Sequence, residues 1–457
     1  MPETTAAFPL VSVLPFAGLL LSIALLPARA PHFWHRHYHH VALGWGAVFA
    51  LPYLVLHPGA AIHDLLHALL TEYLPFVVLL GALFVISGGI VVRGRLGGTP
   101  LHNTLLLAFG TAIASLIGTT GAAMVLVRPL LRANAGRASR AHVVVFFIFL
   151  VANIGGCLTP LGDPPLFLGF LEGVPFFWTL RLLPHLLVAA ATLLAIFFVL
   201  DTVVARREAG LPRRAPWAAD PSAPAAPADA RPGLDGAGNL VLLALLLGMV
   251  LLSGVWHPGR VDLPGVALPL EGLVRDGALI ILATLSLRLT PGRLRLANAF
   301  TWEPIREVAW LFAGIFVTII PAIAILRSGG GPASSLLQGL TEPRHLYWAT
   351  GLLSSVLDNA PTYLTFVNAL IGRLGPGLDP ASGMARLTTD GAVLLEAVSA
   401  GAVFMGAMTY IGNAPNLMVR AIAEEAGVTM PSFGRFVLRY AVPFLLPALL
   451  LVHLVCF

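Results

Sequence analysis

The sequence predicts an all-α polytopic membrane protein of two inverted repeats, with about ten transmembrane helices, two re-entrant helical hairpins and two broken helices. Three observations predict it. Charged residues make up only 11% of the chain and hydrophobic ones 57%, whereas a soluble domain carries about 25% charge; ionisable side chains are scarce where hydrocarbon makes them costly. Apolar runs of about 20 residues, enough for a bilayer core of roughly 30 Å, recur from end to end in place of amphipathic stripes. A Thr-x-x-Gly-Asp/Asn motif occurs once in each half, at 159–163 and 409–413, each time inside a long apolar run.

Spans are predicted at 8–28, 40–57, 73–92, 141–170, 178–204, 238–256, 272–289, 306–326, 391–420 and 433–456. The first run lacks a preceding basic residue and a clear cleavage site, so it reads as a retained span and not a signal peptide. The stretches 103–132 and 343–372 are interrupted in the middle, as broken spans or re-entrant hairpins. The long 141–170 and 391–420 runs are interrupted too. Such breaks are tolerated at membrane depth only where protein or a watery cavity satisfies the freed backbone groups. Residues 205–237, with Pro212, Pro216, Pro221, Pro224, Pro227 and Pro232, cannot build a core and read as a linker. It divides a first repeat, 1–204, from a second, 238–457.

The halves match weakly but in order. Ala82 to Val85 aligns with Gly314 to Val317, Ser115 to Thr119 with Ser355 to Asn359, and Leu158 to Pro165 with Met408 to Pro415. With both interrupted stretches taken as hairpins, each half has an odd number of spans, so the halves are inverted. An amino terminus outside then makes the loops near 28–40, 93–102, 128–141, 205–237, 288–306 and 420–435 cytoplasmic. They hold 19 of the 27 basic residues, all Arg, against 7 on the other side, with Arg439 inside the last span. That bias is the positive-inside pattern of an inner membrane. It accounts for the net charge of +5 without a nucleic-acid partner.

The candidate site residues cluster at the interruptions. The first half offers Thr119 and Thr120 at the hairpin tip, then Asn153, Thr159, Gly162 and Asp163 in the broken helix. The second offers Asp358, Asn359 and Thr362, then Thr409, Gly412 and Asn413. Gly and Pro open the helix; freed carbonyls and side-chain oxygens suit a hard cation such as Na⁺. Half-helix amino termini offer N–H groups to an anion. Asp163 aligns with Asn413 and Asp358 with Gly118, so each of two sites would hold one carboxylate. One carboxylate balances one Na⁺ or takes up one H⁺. Asp is also a common helix cap, and Thr and Asn cap locally, so capping stays open for all of these residues.

Other features carry less. His32, His35, His37, His39 and His40 read as an interfacial loop with Trp34 and Tyr38. His63, Asp64, His67 and Glu72 read as a short amphipathic segment at the membrane surface. Asp201 and Glu396 lie near span ends and are expected at the interface, and His185 as a satisfied core histidine. Cys157 and Cys456 are too few for a disulfide framework or zinc site. No cofactor motif, Gly-x-Ser-x-Gly elbow or His-Glu-x-x-His pair occurs in a fitting context, which argues against an enzyme.

The run from Val144 to Gly156, with Thr159 to Pro165, resembles the ion transporter superfamily, closest to its citrate transporter and sodium:proton antiporter branch. Ser355 to Thr362 is similar to the second-half motif of arsenite permeases and NhaD-type antiporters. The resemblance covers most of the chain after about residue 70 and is specific for the fold, not the substrate. It implies a sodium site in each half with substrate between them: Thr119, Thr120, Thr159 and Asp163 in the first, Asp358, Asn359, Thr409 and Asn413 in the second. It also implies a homodimer among membrane lipids. Carboxylate carriers share a Ser-Asn-Thr tip, whereas the tips here read Gly118-Thr119-Thr120 and Asp358-Asn359-Ala360. An acid at the site repels a polyanion. The expected function is therefore Na⁺/H⁺ antiport by alternating access, with Na⁺- or H⁺-coupled carboxylate or oxyanion transport as the alternative.

Overall fold

The computed structural model describes residues 8–94, 97–209, 233–263, 266–298, 300–328, 340–375 and 378–457. Most of the expected linker, 210–232, lies outside the described residues. In the first half α1 (Leu14–Arg29), α2 (Pro31–Leu56), α3 (Pro58–His67) and α4 (Leu74–Ser87) precede α5 (Pro100–Ile117) and α6 (Thr119–Ala133), then α7 (Ala141–Leu150), α8 (Pro164–Leu171) and α9 (Leu183–Glu208). The second half begins with α10 (Gly238–Ser253), α11 (Leu270–Leu289), α12 (Gly292–Ala297), α13 (Glu303–Thr318) and α14 (Ile320–Arg327). It continues through α15 (Pro343–Val356), α16 (Asn359–Leu374), α17 (Pro380–Thr389), α18 (Ala392–Met405), α19 (Ala414–Glu425), α20 (Phe433–Phe436) and α21 (Leu446–Cys456).

The chain is an all-α polytopic membrane protein. Among the described residues seven helices are long and apolar enough to cross a bilayer, and up to nine spans result if the bent pairs α13–α14 (42°) and α17–α18 (96°) each count as one. The sequence suggested ten. The expected 238–256 span forms a helix of only 16 residues, and α11 carries Glu271, Arg275, Asp276 and Arg288.

Both hairpins form where expected. α5 and α6 pack on each other about Gly118, whose φ of +78° suits only glycine comfortably. α15 and α16 pack likewise about Leu357 and Asp358. Both long runs break: α7 gives way to a 3₁₀ turn at Ile154–Leu158 before α8, and α18 to one at Gly406–Met408 before α19. Pro164-Pro165 and Pro415 restart the helices at their first turns, where a missing N–H costs nothing. These broken helices form the centre of the molecule: Val143 to Ile154 and Ala397 to Ala407 are buried throughout. By contrast α2 turns Leu43, Val48, Leu51 and Val55 outward, as a lipid-facing helix does.

Two small antiparallel ribbons decorate the ends. β1 (Val91–Arg93) pairs with β2 (Gly233–Asp235), and β3 (Arg260–Leu263) with β4 (Val266–Pro269). The first ties the end of α4 to the start of the second half. Asn239 reinforces it, donating to the Gly89 carbonyl at 3.2 Å and to Thr290 Oγ1 at 2.9 Å.

Three expectations about polar residues are corrected. The histidine run is not a loop: α1 ends at Arg29, and α2 carries His32 to His40 on its first turns, because Pro31 starts a helix as readily as it ends one. Asp201 does not reach the interface but is fully buried. It accepts hydrogen bonds from Asn103 (2.9 Å), His142 (2.8 Å) and Arg137; partners from three segments replace the lost water. Glu396 does reach a partly exposed position, paired with Arg181. His185, expected as a satisfied core histidine, is instead buried against Phe457 with neither ring nitrogen hydrogen-bonded among the described residues.

Candidate functional site

The Thr and Gly of the repeated motif have matching local jobs. Thr159 Oγ1 donates to the Ser115 carbonyl near the hairpin tip and accepts from the Leu161 N–H at 3.1 Å. Thr409 Oγ1 donates to the Ser355 carbonyl at 2.6 Å and accepts from the Ile411 and Gly412 N–H groups at 3.2 Å. Each threonine thus fastens a break to its neighbouring hairpin. A Cβ on Gly162 would be driven into the Gly156 carbonyl, and one on Gly412 into the carbonyls of Gly406 and Ser354. The glycines are required by this backbone approach.

The last motif position reaches across the molecule. Asp163 is 2% exposed and does not cap α8. Its Oδ1 accepts from Thr119 Oγ1 at 3.1 Å and from Asn413 Nδ2 at 2.9 Å, and its Oδ2 from Asn359 Nδ2 at 2.5 Å. The aligned residues Asp163 and Asn413 therefore touch. This explains their chemical difference: two carboxylates here would repel, whereas Asn supplies a donor. Where two separate half-sites were expected, side chains of both halves converge on one carboxylate, because the two breaks face each other.

Asn153 and Asn416 extend the cluster. Asn153 Nδ2 donates to Asn416 Oδ1 at 2.7 Å, while its Oδ1 accepts from Asn413 at 3.2 Å. Asn416 Nδ2 in turn satisfies the carbonyls of Gly406 and Thr409, both at 2.9 Å. One acceptor is left over: Asn359 Oδ1 is buried beside Asp163 and has no hydrogen-bond partner among the described residues. Asp358 behaves differently from Asp163. It caps α16, its Oδ1 accepting from the Ala360 N–H at 3.1 Å, and is partly exposed. Thr362 turns back to the Asp358 carbonyl at 3.0 Å, so it stiffens the helix start and faces no open space.

A cavity of about 700 Å³ leads to this cluster. Thr119, Thr120, Gly162, Asp163, Asp358 and Asn413 lie on its wall. It runs between the hairpin and break of each half and α13, with Glu424 and Glu425 exposed towards its mouth. Along α6, Gly121, Met124 and Arg128 face it at helical spacing. Arg128 makes no hydrogen bond or ion pair among the described residues, and its Nη1 is buried. Arg420, also on the wall, is paired with Glu424 at 2.9 Å. The sequence places Asn416 only at the end of the second-half motif run and does not mark Arg128. An Asn three residues beyond the motif was a visible signal, whereas nothing separates Arg128 from the other arginines of its loop until the cavity is seen.

Comparison with known proteins agrees with this architecture. The model of a family described as “Putative citrate transport” matches residues 5–457. A 46 kDa membrane protein of Mycobacterium leprae (strain TN) is 26% identical over 354 residues, covering 75% of this chain and 74% of that protein. An uncharacterized transporter of Mycobacterium tuberculosis is 26% identical over 364 residues, 76% of this chain and 75% of its own. Another, from Synechocystis sp., is 31% identical over 153 residues, 30% of this chain and 34% of its own. The fold, the broken helices around a shared polar centre and a family match along the chain make this a multi-pass membrane transporter that belongs to the putative citrate transport family.

Proposed function

We propose that the protein is a secondary active transporter working by alternating access, and that its reaction is Na⁺/H⁺ exchange. The observation that carries this reading is the Asp163 centre. The carboxylate is buried, its hydrogen-bond partners Thr119, Asn359 and Asn413 are all neutral, and the unpaired Asn359 Oδ1 lies beside it. A buried negative charge needs a cation or a proton. Hard cations take oxygen ligands, and Asp163, Thr119, Asn359 and Asp358 supply them around the end of the cavity. Na⁺ entering the cavity would displace a proton from these carboxyl groups, and a proton arriving from the other side would displace Na⁺. Asp163 is the central exchanging group, and Asp358, already engaged as a cap, the outer one.

A second reading has its own support. The family description names citrate, and Arg128, near Glu425 but without an ion pair among the described residues, brings a positive charge to the cavity wall. A Na⁺- or H⁺-coupled carrier of a carboxylate would hold its anion between Arg128 and the start of α6 at Thr120 and Gly121, which has no side-chain cap, with the coupling ion at Asp163. We place the protein in the inner membrane, with the amino terminus outside and the linker in the cytoplasm, on the arginine bias.

Proteoliposomes with Na⁺ and pH gradients set separately test both. Antiport predicts Na⁺-driven proton movement without added anion, lost in Asp163→Asn and strongly reduced in Asp358→Asn. Full activity in both variants would exclude the mechanism. Saturable citrate uptake that needs an ion gradient and fails in Arg128→Ala would select the carrier.

A further inference from the structure

Beyond Phe167 of α8, no residue of α8, α14 or α16 lines the cavity, and the packing there is specific. Beyond the site α8, α14 and α16 converge. A Cβ on Gly169 of α8 would run into the phenol of Tyr363 on α16, and one on Gly372 of α16 into the Leu326 carbonyl at the end of α14. α16 thus meets α8 through the Tyr363 phenol and α14 at backbone distance.

Arg327, the last residue of α14, binds both neighbours at once. Its Nε donates to Asn368 Oδ1 on α16 at 2.5 Å, and its Nη2 to Glu172 Oε2, one residue beyond α8, at 3.0 Å. Asn368 is fully buried and oriented by its own Nδ2, which donates to the Leu364 carbonyl at 2.8 Å. The Glu172 and Arg327 side chains are 13% and 27% exposed, so the pair is largely shielded from water and salt. None of these residues lines the cavity.

The placement gives the fork its meaning. α8 lies between Asp163, just before its first residue, and Glu172, just after its last. α16 starts at Asp358, and Asn368 stands ten residues further on, about 15 Å along the axis. Each helix that follows a site carboxylate is therefore held further along, away from the cavity, by the same guanidinium. That guanidinium belongs to a third element, α14, which continues from the cavity-lining α13 across a 42° bend. A path to the opposite face must part α14 from α8 and α16, and the fork cannot survive that separation.

We propose that Arg327, through Glu172 and Asn368, is the latch that keeps the far end of the cavity closed, and that its release admits solvent from the opposite face. The proposal rests on the alternating-access reading. A pair that only stabilised the fold would alter melting but not which face reaches the cavity. Arg327 is thus a positioning residue, and its readout is sidedness.

The experiment uses the full chain in right-side-out and inverted vesicles, with Cys157→Ala and Cys456→Ala removing the native thiols. Met418→Cys on the cavity wall is the probe, and a membrane-impermeant maleimide the reagent. With the fork intact and no gradient imposed, labelling proceeds from one face. Arg327→Ala should raise labelling from the other face about ten-fold or more, the scale of one lost charge-assisted hydrogen bond. Glu172→Gln should raise it less, since Asn368 still holds Arg327. The charge-swapped pair Arg327→Glu with Glu172→Arg re-forms the ion pair but not the bond to Asn368 Oδ1, and should restore one-sided labelling in part. If Arg327→Ala does not fold, Glu172→Gln and the swap decide. Far-face labelling that stays at background in every folded single variant overturns the latch. The parent reading is tested separately with the fork intact: Na⁺ and pH gradients should redistribute labelling between the faces, and indifference to both counts against alternating access itself.

Discussion

At the residue scale the centre of the protein is an acid surrounded by amides. Asp163 meets Thr119, Asn359 and Asn413, and Asn413 meets Asn153. Every contact pairs a donor with an acceptor, so the network fixes which amide end points where. It also fixes which position carries charge. Asn413→Asp would set two carboxylates against each other and deprive Asp163 of a donor. Thermal unfolding in detergent should reveal a loss of about 3 kcal/mol, the scale of an uncompensated buried charge. Exchanging the pair, Asp163→Asn with Asn413→Asp, recreates one acid facing one amide and should recover part of that loss, because Asn413 Nδ2 also donates to the Ala152 carbonyl and Asn153 Oδ1. A double variant as unstable as the single would mean that the acid is needed at Asp163 for reasons beyond this contact. The exchange would also move the acid towards Asn153, so stability and transport need not recover together.

At the element scale the interruptions are built, not merely tolerated. A helix that stops inside a bilayer strands carbonyls and N–H groups, and here the strand of residues between two half-helices is fastened to the adjacent hairpin by one threonine in each half. Thr409→Val keeps the shape and removes the hydroxyl. It leaves the Ser355 carbonyl and the Ile411 and Gly412 N–H groups unpaired, and should cost about 2 kcal/mol. Thr409→Ser should cost much less, and Thr159→Val should repeat the effect in the first half. Equal melting temperatures for the Val and Ser variants would refute the tether. Gly412→Ala offers a contrasting case: its Cβ meets two carbonyls, with no flexible side chain able to give way, so about 1–3 kcal/mol of overpacking is expected.

These elements were legible in the sequence because their causes are local. Gly118, Pro164, Pro165 and Pro415 break and restart helices wherever they stand, and the Thr-to-Gly spacing repeats. What lies between Asp163 and Asn413 was not legible as a contact. They are 250 residues apart, and their alignment as equivalents suggested two places where the fold makes one. Asp201 misled for the same reason: its partners Asn103, Arg137 and His142 come from other segments, so a position near a helix end looked exposed. The histidine run looked like a loop because polarity was read as breakage, although residues 31–40 contain no helix-breaking residue after Pro31.

At the scale of the whole molecule, the open end of the cavity and the exit of the linker lie together. Arg128 and Arg420 line the cavity from the two loops that the arginine bias assigns to the cytoplasm. One turn beyond Arg128, Arg132 donates to the Val92 carbonyl at 3.0 Å. Val92 belongs to β1, which pairs with β2 at 233–235, where the described chain resumes after the linker. The chain leaving the linker is thus held beside the hairpin arm that forms the cavity wall. Neither fact depends on which face is cytoplasmic, so a test of their agreement is independent of orientation. Single cysteines at Ser222 in the linker and Met418 in the cavity, each in the background lacking Cys157 and Cys456, should react with an impermeant maleimide on the same face. In inverted vesicles both should label, and in right-side-out vesicles neither. Labelling of both only from outside would keep the architecture and reverse the orientation drawn from the arginines. Labelling from opposite faces would break the link between linker, hairpin and cavity, and with it the inverted arrangement of the halves, since an odd number of crossings in each half is what returns the linker to the cavity's open side.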